Sequence, residues 1–143
     1  MSGDYMGDEF EPRKKHTYQS VQPPRRTMPV TRHSVTHTIR HTGDLKIYII
    51  VGFYTNGDPG EVFVKIGKEG STLAGLMDII GVQISQMLQT SLPWGCIESN
   101  LLNTNFEPLN SEGKSIAHVI GKAITTILRD ERSRFETGQV PLV

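Results

Sequence analysis

The residues best equipped for chemistry are a loop, Gly67-Lys68-Glu69-Gly70-Ser71-Thr72, and a later cluster, Arg129, Arg132 and Arg134. A glycine-containing loop that opens a helix presents unpaired backbone N–H groups and the positive end of the helix dipole. Together these hold an anion without specialised side chains. Lys68 adds charge, but the order departs from the phosphate-cradling pattern G-x-x-x-x-G-K-[ST]: the lysine precedes the second glycine, and Glu69 opposes an incoming phosphate. Two readings stand. Lys68, Gly70, Ser71 and Thr72 form an anion or nucleotide site, or the loop only turns the chain and Ser71 caps the helix that follows. The arginines divide the same way. They complement the negative end of the last helix, or Arg129 and Arg132 supply a guanidinium pocket for phosphates, shared across a dimer interface.

Other candidates are weaker. His33, His37 and His41 recur every four residues, but on a strand that spacing puts neighbours about 13 Å apart on one face. One ion cannot bridge them, so no metal site is expected. Cys96 is the sole cysteine, which excludes an internal disulfide and a C-x-x-C pair. Its LPWGCIE context offers no base, and it reads as a buried structural thiol. Trp94 reads as a core plug. Asp58, Glu61 and Glu69 sit near turns with no spacing that marks an acid/base pair. No catalytic residue and no cofactor is therefore expected.

The chain has 143 residues, with 15 Lys+Arg against 15 Asp+Glu. That is room for one core, and the zero net charge gives no global field toward nucleic acid or a membrane surface. Its longest apolar run, Ile47 to Phe53, is far shorter than the roughly 20 residues that span a bilayer. The amino terminus lacks the apolar region of a secretory signal. A cytoplasmic protein with neither membrane nor nucleic-acid partners is expected.

Residues 1–31 lack periodicity and carry Pro23-Pro24-Arg25-Arg26, which predicts a flexible arm. A domain over 32–134 and a tail over 135–143 follow. β-Branched alternation predicts strands over Val35 to His41, Leu45 to Phe53 and Glu61 to Ile66, with Asn56-Gly57 turning the second hairpin. Leu73, Leu76, Met77, Ile80, Ile84, Met87 and Leu88 mark one amphipathic helix; Ile116, Val119, Ile120, Ala123, Ile124, Ile127 and Leu128 mark another. A short helix is expected over Cys96 to Asn103, and Gly75 and Gly81 predict a close approach of the first long helix to the sheet or to another subunit. The fold class is α+β: a three-stranded antiparallel meander packed against two long amphipathic helices. Tyr48, Ile50, Tyr54 and Phe63 fall on the second sheet face, which needs its own cover, so a homo-oligomer is expected.

MPVTRHSVTHTIR, KIYIIVGFYTNGDPGEVFVKIGKEGSTLAGLMDIIGVQISQMLQ, FEP and the closing KSIAHVIGKAI helix together resemble the TSCPD domain near the carboxyl end of adenosylcobalamin-dependent (class II) ribonucleotide reductases. The resemblance covers roughly residues 26 to 128. Asp58 to Phe63, Gly67 to Ser71, and Ser85 with Leu88-Gln89 are its most specific parts. It implies a link to nucleotide metabolism. The family's large barrel and its radical and redox cysteines have no counterpart in a chain with one cysteine, so a non-catalytic module is expected. Two functions remain open. One is a stand-alone accessory module that associates with a reductase large subunit. The other is an oligomer that holds a nucleotide, for instance a phage protein that sequesters a cyclic-nucleotide or ADP-ribose-type signal.

Overall fold

The computed structural model describes residues 24–67 and 70–139. Three strands, β1 (Ser34–Arg40), β2 (Lys46–Phe53) and β3 (Pro59–Ile66), precede three helices, α1 (Thr72–Gln89), α2 (Trp94–Asn103) and α3 (Ile116–Glu136). The strands form one antiparallel sheet in the order β1-β2-β3, the meander that the alternation predicts. Ile47, Ile49, Val51 and Phe53 point to one face and are almost wholly buried, with Val62, Val64 and Ile66 beside them. Met77, Ile84 and Leu88 of α1, Ile97 of α2 and Ile116, Ile120, Ile124 and Ile127 of α3 complete the core. The apolar periods of 2 in the strands and 3.6 in the helices meet in one cluster.

The route by which α1 joins this core is less obvious. Asp78, Gly81, Ser85 and Gln89 form a second, polar stripe that docks on the free edge of β3. Lys65 pairs with Asp78, Ser85 Oγ accepts from Val62 N–H at 2.8 Å and lies 3.2 Å from Val62 O, and Gln89 Nε2 donates to Gly60 O at 2.9 Å. A Cβ on Gly81 would sit 2.8 Å from Val62 O, so only glycine lets the helix backbone come this close, whereas Gly75 meets nothing within 4 Å, which corrects the expectation of a close approach there. The registers agree in length. Asp78 to Gln89 rises about 16 Å along a helix, and Lys65 to Gly60 spans about 16 Å of strand in the opposite direction. α1 thus seals a strand edge that would otherwise expose its backbone groups.

α2 packs on α3, where Gly121 meets Leu101. Trp94 Nε1 donates to Thr125 Oγ1 at 2.9 Å, and Thr125 in turn donates to Glu98 at 2.6 Å. α2 begins at Trp94, two residues earlier than the expected start at Cys96. Cys96 is exposed and Ile97 takes the buried position, which corrects the expectation of a buried thiol.

The ends also differ from expectation. α3 continues to Glu136, and Phe135 packs on Phe53 and His33 at ring distances of 5.8 Å. Residues 1–23 of the expected arm lie outside the described residues. From Arg25 onward the chain is anchored: Arg25 bonds Gln89, Arg26 N–H donates to Gln89 O at 2.9 Å, and Arg32 forms a two-point pair with Glu61.

Candidate functional site

The strand-to-helix joint is built as the sequence predicts on its described side. Gly70 has φ +73°, a left-handed conformation natural to glycine. Ser71 caps α1 by accepting from Ala74 N–H at 3.1 Å, and its carbonyl accepts from Gly75 N–H. The cap side chain occupies the place an anion would take at Ala74 N–H. Thr72 opens the helix and is exposed; Lys68 lies outside the described residues. Beside the joint is a cavity of about 650 Å³ whose walls include Lys46, Tyr48, Ile66, Gly67, Ser71 and Leu73.

Arg129 and Arg132 lie elsewhere. Their neighbour Glu131 bonds His33 at 2.7 Å, and His33 O accepts from Phe53 N–H, so this part of α3 sits at the Phe53 end of β2. The joint sits at the other end, where Ile66 pairs with Ile47. The two groups are separated by most of an eight-residue strand, about 20 Å or more, and do not form one pocket within a single chain. Arg129 faces Asp130 at 3.6 Å, Arg132 faces Glu136 at 3.2 Å and Arg134 faces Glu131 at 3.2 Å, all on exposed arginine side chains.

The three histidines have separate environments. His33 is wedged between Phe53 and Phe135 and pairs with buried Glu131. His37 is exposed, while His41 is buried and its Nε2 donates to Pro108 O at 2.7 Å. Among the described residues no group of acidic, histidine or cysteine side chains is arranged to hold a metal ion.

The hairpin turn carries a structural clamp that sequence reasoning missed. Glu61 is 9 % exposed and pairs with Arg32 across Gly52, where a Cβ would collide with the Glu61 side chain. Asp58 pairs with Arg26 at 3.2 Å, and the Arg26 guanidinium lies 3.9 Å from the Tyr54 ring centroid. Tyr54 was expected on the open sheet face; the Met28 and Arg26 segment covers it, and its hydroxyl donates to Arg26 O. Burial pushes the Tyr54 pKa above its ordinary value, with Arg26 and then Arg25 acting in the opposite direction. The carboxylates at this turn are thereby occupied in anchoring chain. The signal for the clamp was a group of arginines ahead of the first strand and two carboxylates, Asp58 and Glu61, at the second hairpin turn, but separations of 29 and 32 residues hide the pairing.

What stays open is apolar. Phe63 and Tyr48 on the second sheet face are 40 % and 37 % exposed, and Ile50 stands opposite Phe63 in the register. Leu76, Ile79 and Val82 on the outer flank of α1 are at least half exposed. α1 itself packs along β3. No helix among the described residues is long and apolar enough to cross a membrane.

Comparison with known proteins adds context to this geometry. The family model described as TSCPD domain matches residues 16–128. A vitamin B12-dependent ribonucleotide reductase of Rhodopirellula baltica is 33 % identical over 124 residues, covering 85 % of this chain and 12 % of that protein. Reductases of the same description from Streptantibioticus cattleyicolor and Bradyrhizobium diazoefficiens are 36 % identical over 87 residues and 26 % over 121. These matches cover 61 % and 81 % of this chain, and 14 % and 10 % of the relatives. The chain thus spans between a tenth and a seventh of the length of these relatives. No solved structure gives a significant match.

Proposed function

This chain belongs to the TSCPD domain family, and from that premise we propose that it serves B12-dependent ribonucleotide reduction as a non-catalytic module acting through protein association. The observation that carries the reading is the match of 85 % of this chain to one small segment of a reductase.

The open apolar face fits this role. Tyr48 and Phe63 on the sheet and Leu76, Ile79 and Val82 on α1 are exposed apolar side chains whose burial against a partner is favourable at about 25 cal/mol per Å² of apolar area, and exposed apolar side chains on neighbouring elements mark interaction sites when a partner covers them. The reductase large subunit is the proposed partner. In calorimetric titrations with the Rhodopirellula baltica reductase, Phe63→Glu with Ile79→Glu is expected to weaken association at least tenfold. Unchanged affinity would remove this face from the proposal.

A second reading rests on the 650 Å³ cavity at the joint. Its apolar wall, with Tyr48 available to stack and Lys46 at the rim, suits a nucleotide held by an oligomer. Native mass spectrometry of the purified protein separates the readings: a retained nucleotide-sized adduct favours this one, and a bare chain favours association.

A further inference from the structure

Most cations in the described residues are neutralised locally. Arg26, Arg32, Lys65, Arg129, Arg132 and Arg134 each have a carboxylate partner, and Arg25 bonds Gln89. Arg40, Lys46, Lys114 and Lys122 have no such partner among the described residues, and three of these four, Arg40, Lys114 and Lys122, line one cleft of about 390 Å³ between β1, the Asn110–Lys114 turn and α3. His37 and His118 line it too, and Glu112 is its sole carboxylate. In a chain balanced at 15 charges of each sign, three cations against one anion here make a local positive field.

The fold assembles this cleft from distant pieces. His37 on β1 and His41 just beyond its end both line the cleft. His118 and Lys122 are one helical turn apart on α3, directly across. His118 Nδ1 lies 3.2 Å from Leu102 O, so Nδ1 carries the hydrogen and Nε2 is left for other contacts. His41 spends Nε2 on Pro108 O, and its buried Nδ1 has no hydrogen-bond partner among the described residues. Unpaired like charges crowded into a concavity repel one another, and an anion bound there relieves the repulsion through charge-assisted hydrogen bonds.

We propose that this cleft binds a small polyanion carrying two or more linked phosphates, with Lys114, Lys122 and Arg40 as its charge partners and His37 and His118 as further contacts. Three cations drawn from three separate elements suit the several charges of linked phosphates better than a single phosphate. The zero net charge of the chain disfavours a long nucleic acid as the occupant. The proposal does not rest on the association reading, because the cleft is distinct from the apolar face.

The test is calorimetric titration of the full chain with tripolyphosphate, orthophosphate and ATP at constant ionic strength. Saturable tripolyphosphate binding is expected, at least tenfold tighter than orthophosphate, with NMR shifts of the His37 and His118 imidazoles. Lys114→Ala with Lys122→Ala, both exposed positions, is expected to weaken binding at least tenfold, whereas Lys65→Ala, on the far edge strand and paired with Asp78, leaves it unchanged. ATP binding tighter than tripolyphosphate would support the site with a nucleoside contribution, and equal binding would support it as a site for the phosphate chain alone. Absence of saturable binding, insensitivity to the lysine pair, or an equal loss on Lys65→Ala would overturn the proposal.

Discussion

Two glycines of α1 show how differently one residue type behaves when its surroundings differ. Gly81 faces the β3 backbone, with Val62 O 2.8 Å from where a Cβ would stand, whereas nothing lies within 4 Å of that point on Gly75. Alanine improves helix propensity by about 1 kcal/mol at either position. At Gly81 the clash is with a carbonyl held in a sheet, and overpacking costs about 1–3 kcal/mol. Gly81→Ala should therefore lower the urea midpoint and Gly75→Ala should raise it; the reverse order would show that α1 does not rest on the β3 edge. Tyr54 makes a second residue-level case. Its folded pKa lies above the unfolded value because burial disfavours the phenolate. The stability it confers is complete below the ordinary tyrosine pKa of about 10 and is lost as pH rises through the folded value. Wild-type protein should lose stability in that alkaline window more steeply than Tyr54→Phe, as followed by thermal unfolding across pH.

At the scale of elements, the sheet and its helices were legible because their signals are local. Ile47, Ile49 and Val51 announce a half-buried strand by alternation alone, and Ile116, Ile120, Ile124 and Ile127 announce a helix face. The polar stripe of α1 was only half legible. Gly81 signalled close approach, but Asp78, Ser85 and Gln89 look like ordinary solvent-facing residues until β3 is laid against them. Ser85 shows the consequence most directly, since its Oγ accepts from Val62 N–H on an edge with no neighbouring strand. Ser85→Ala leaves that donor buried without a partner, a cost of about 1–3 kcal/mol. The measurement is hydrogen exchange at Val62, which should accelerate in the variant. Unchanged protection would mean that the helix covers the edge without this bond. Cys96 was misread for a related reason: composition near a helix start does not say which side of it a residue occupies, and Ile97 holds the inward position.

For the whole molecule, the sites depend on which distant pieces the topology unites. Arg129 and Arg132 lie far from Ser71 because α3 ends beside Phe53 while α1 begins beside Ile47, an arrangement that periodicity cannot reveal. The same topology gathers Arg40, Lys114 and Lys122 into a cleft, although each is unremarkable in its own stretch of sequence. It also leaves Phe63, Tyr48, Leu76, Ile79 and Val82 uncovered. These side chains are the proposed contacts for a reductase. The most direct measurement is sedimentation velocity of this chain mixed with Rhodopirellula baltica reductase from which the matching segment has been deleted, with the intact enzyme as control. The account predicts a single faster boundary containing both proteins, weakened for the intact enzyme, whose own segment competes for the surface, and abolished by Phe63→Glu with Ile79→Glu. Two independent boundaries at micromolar concentrations, unchanged by the deletion, would contradict it.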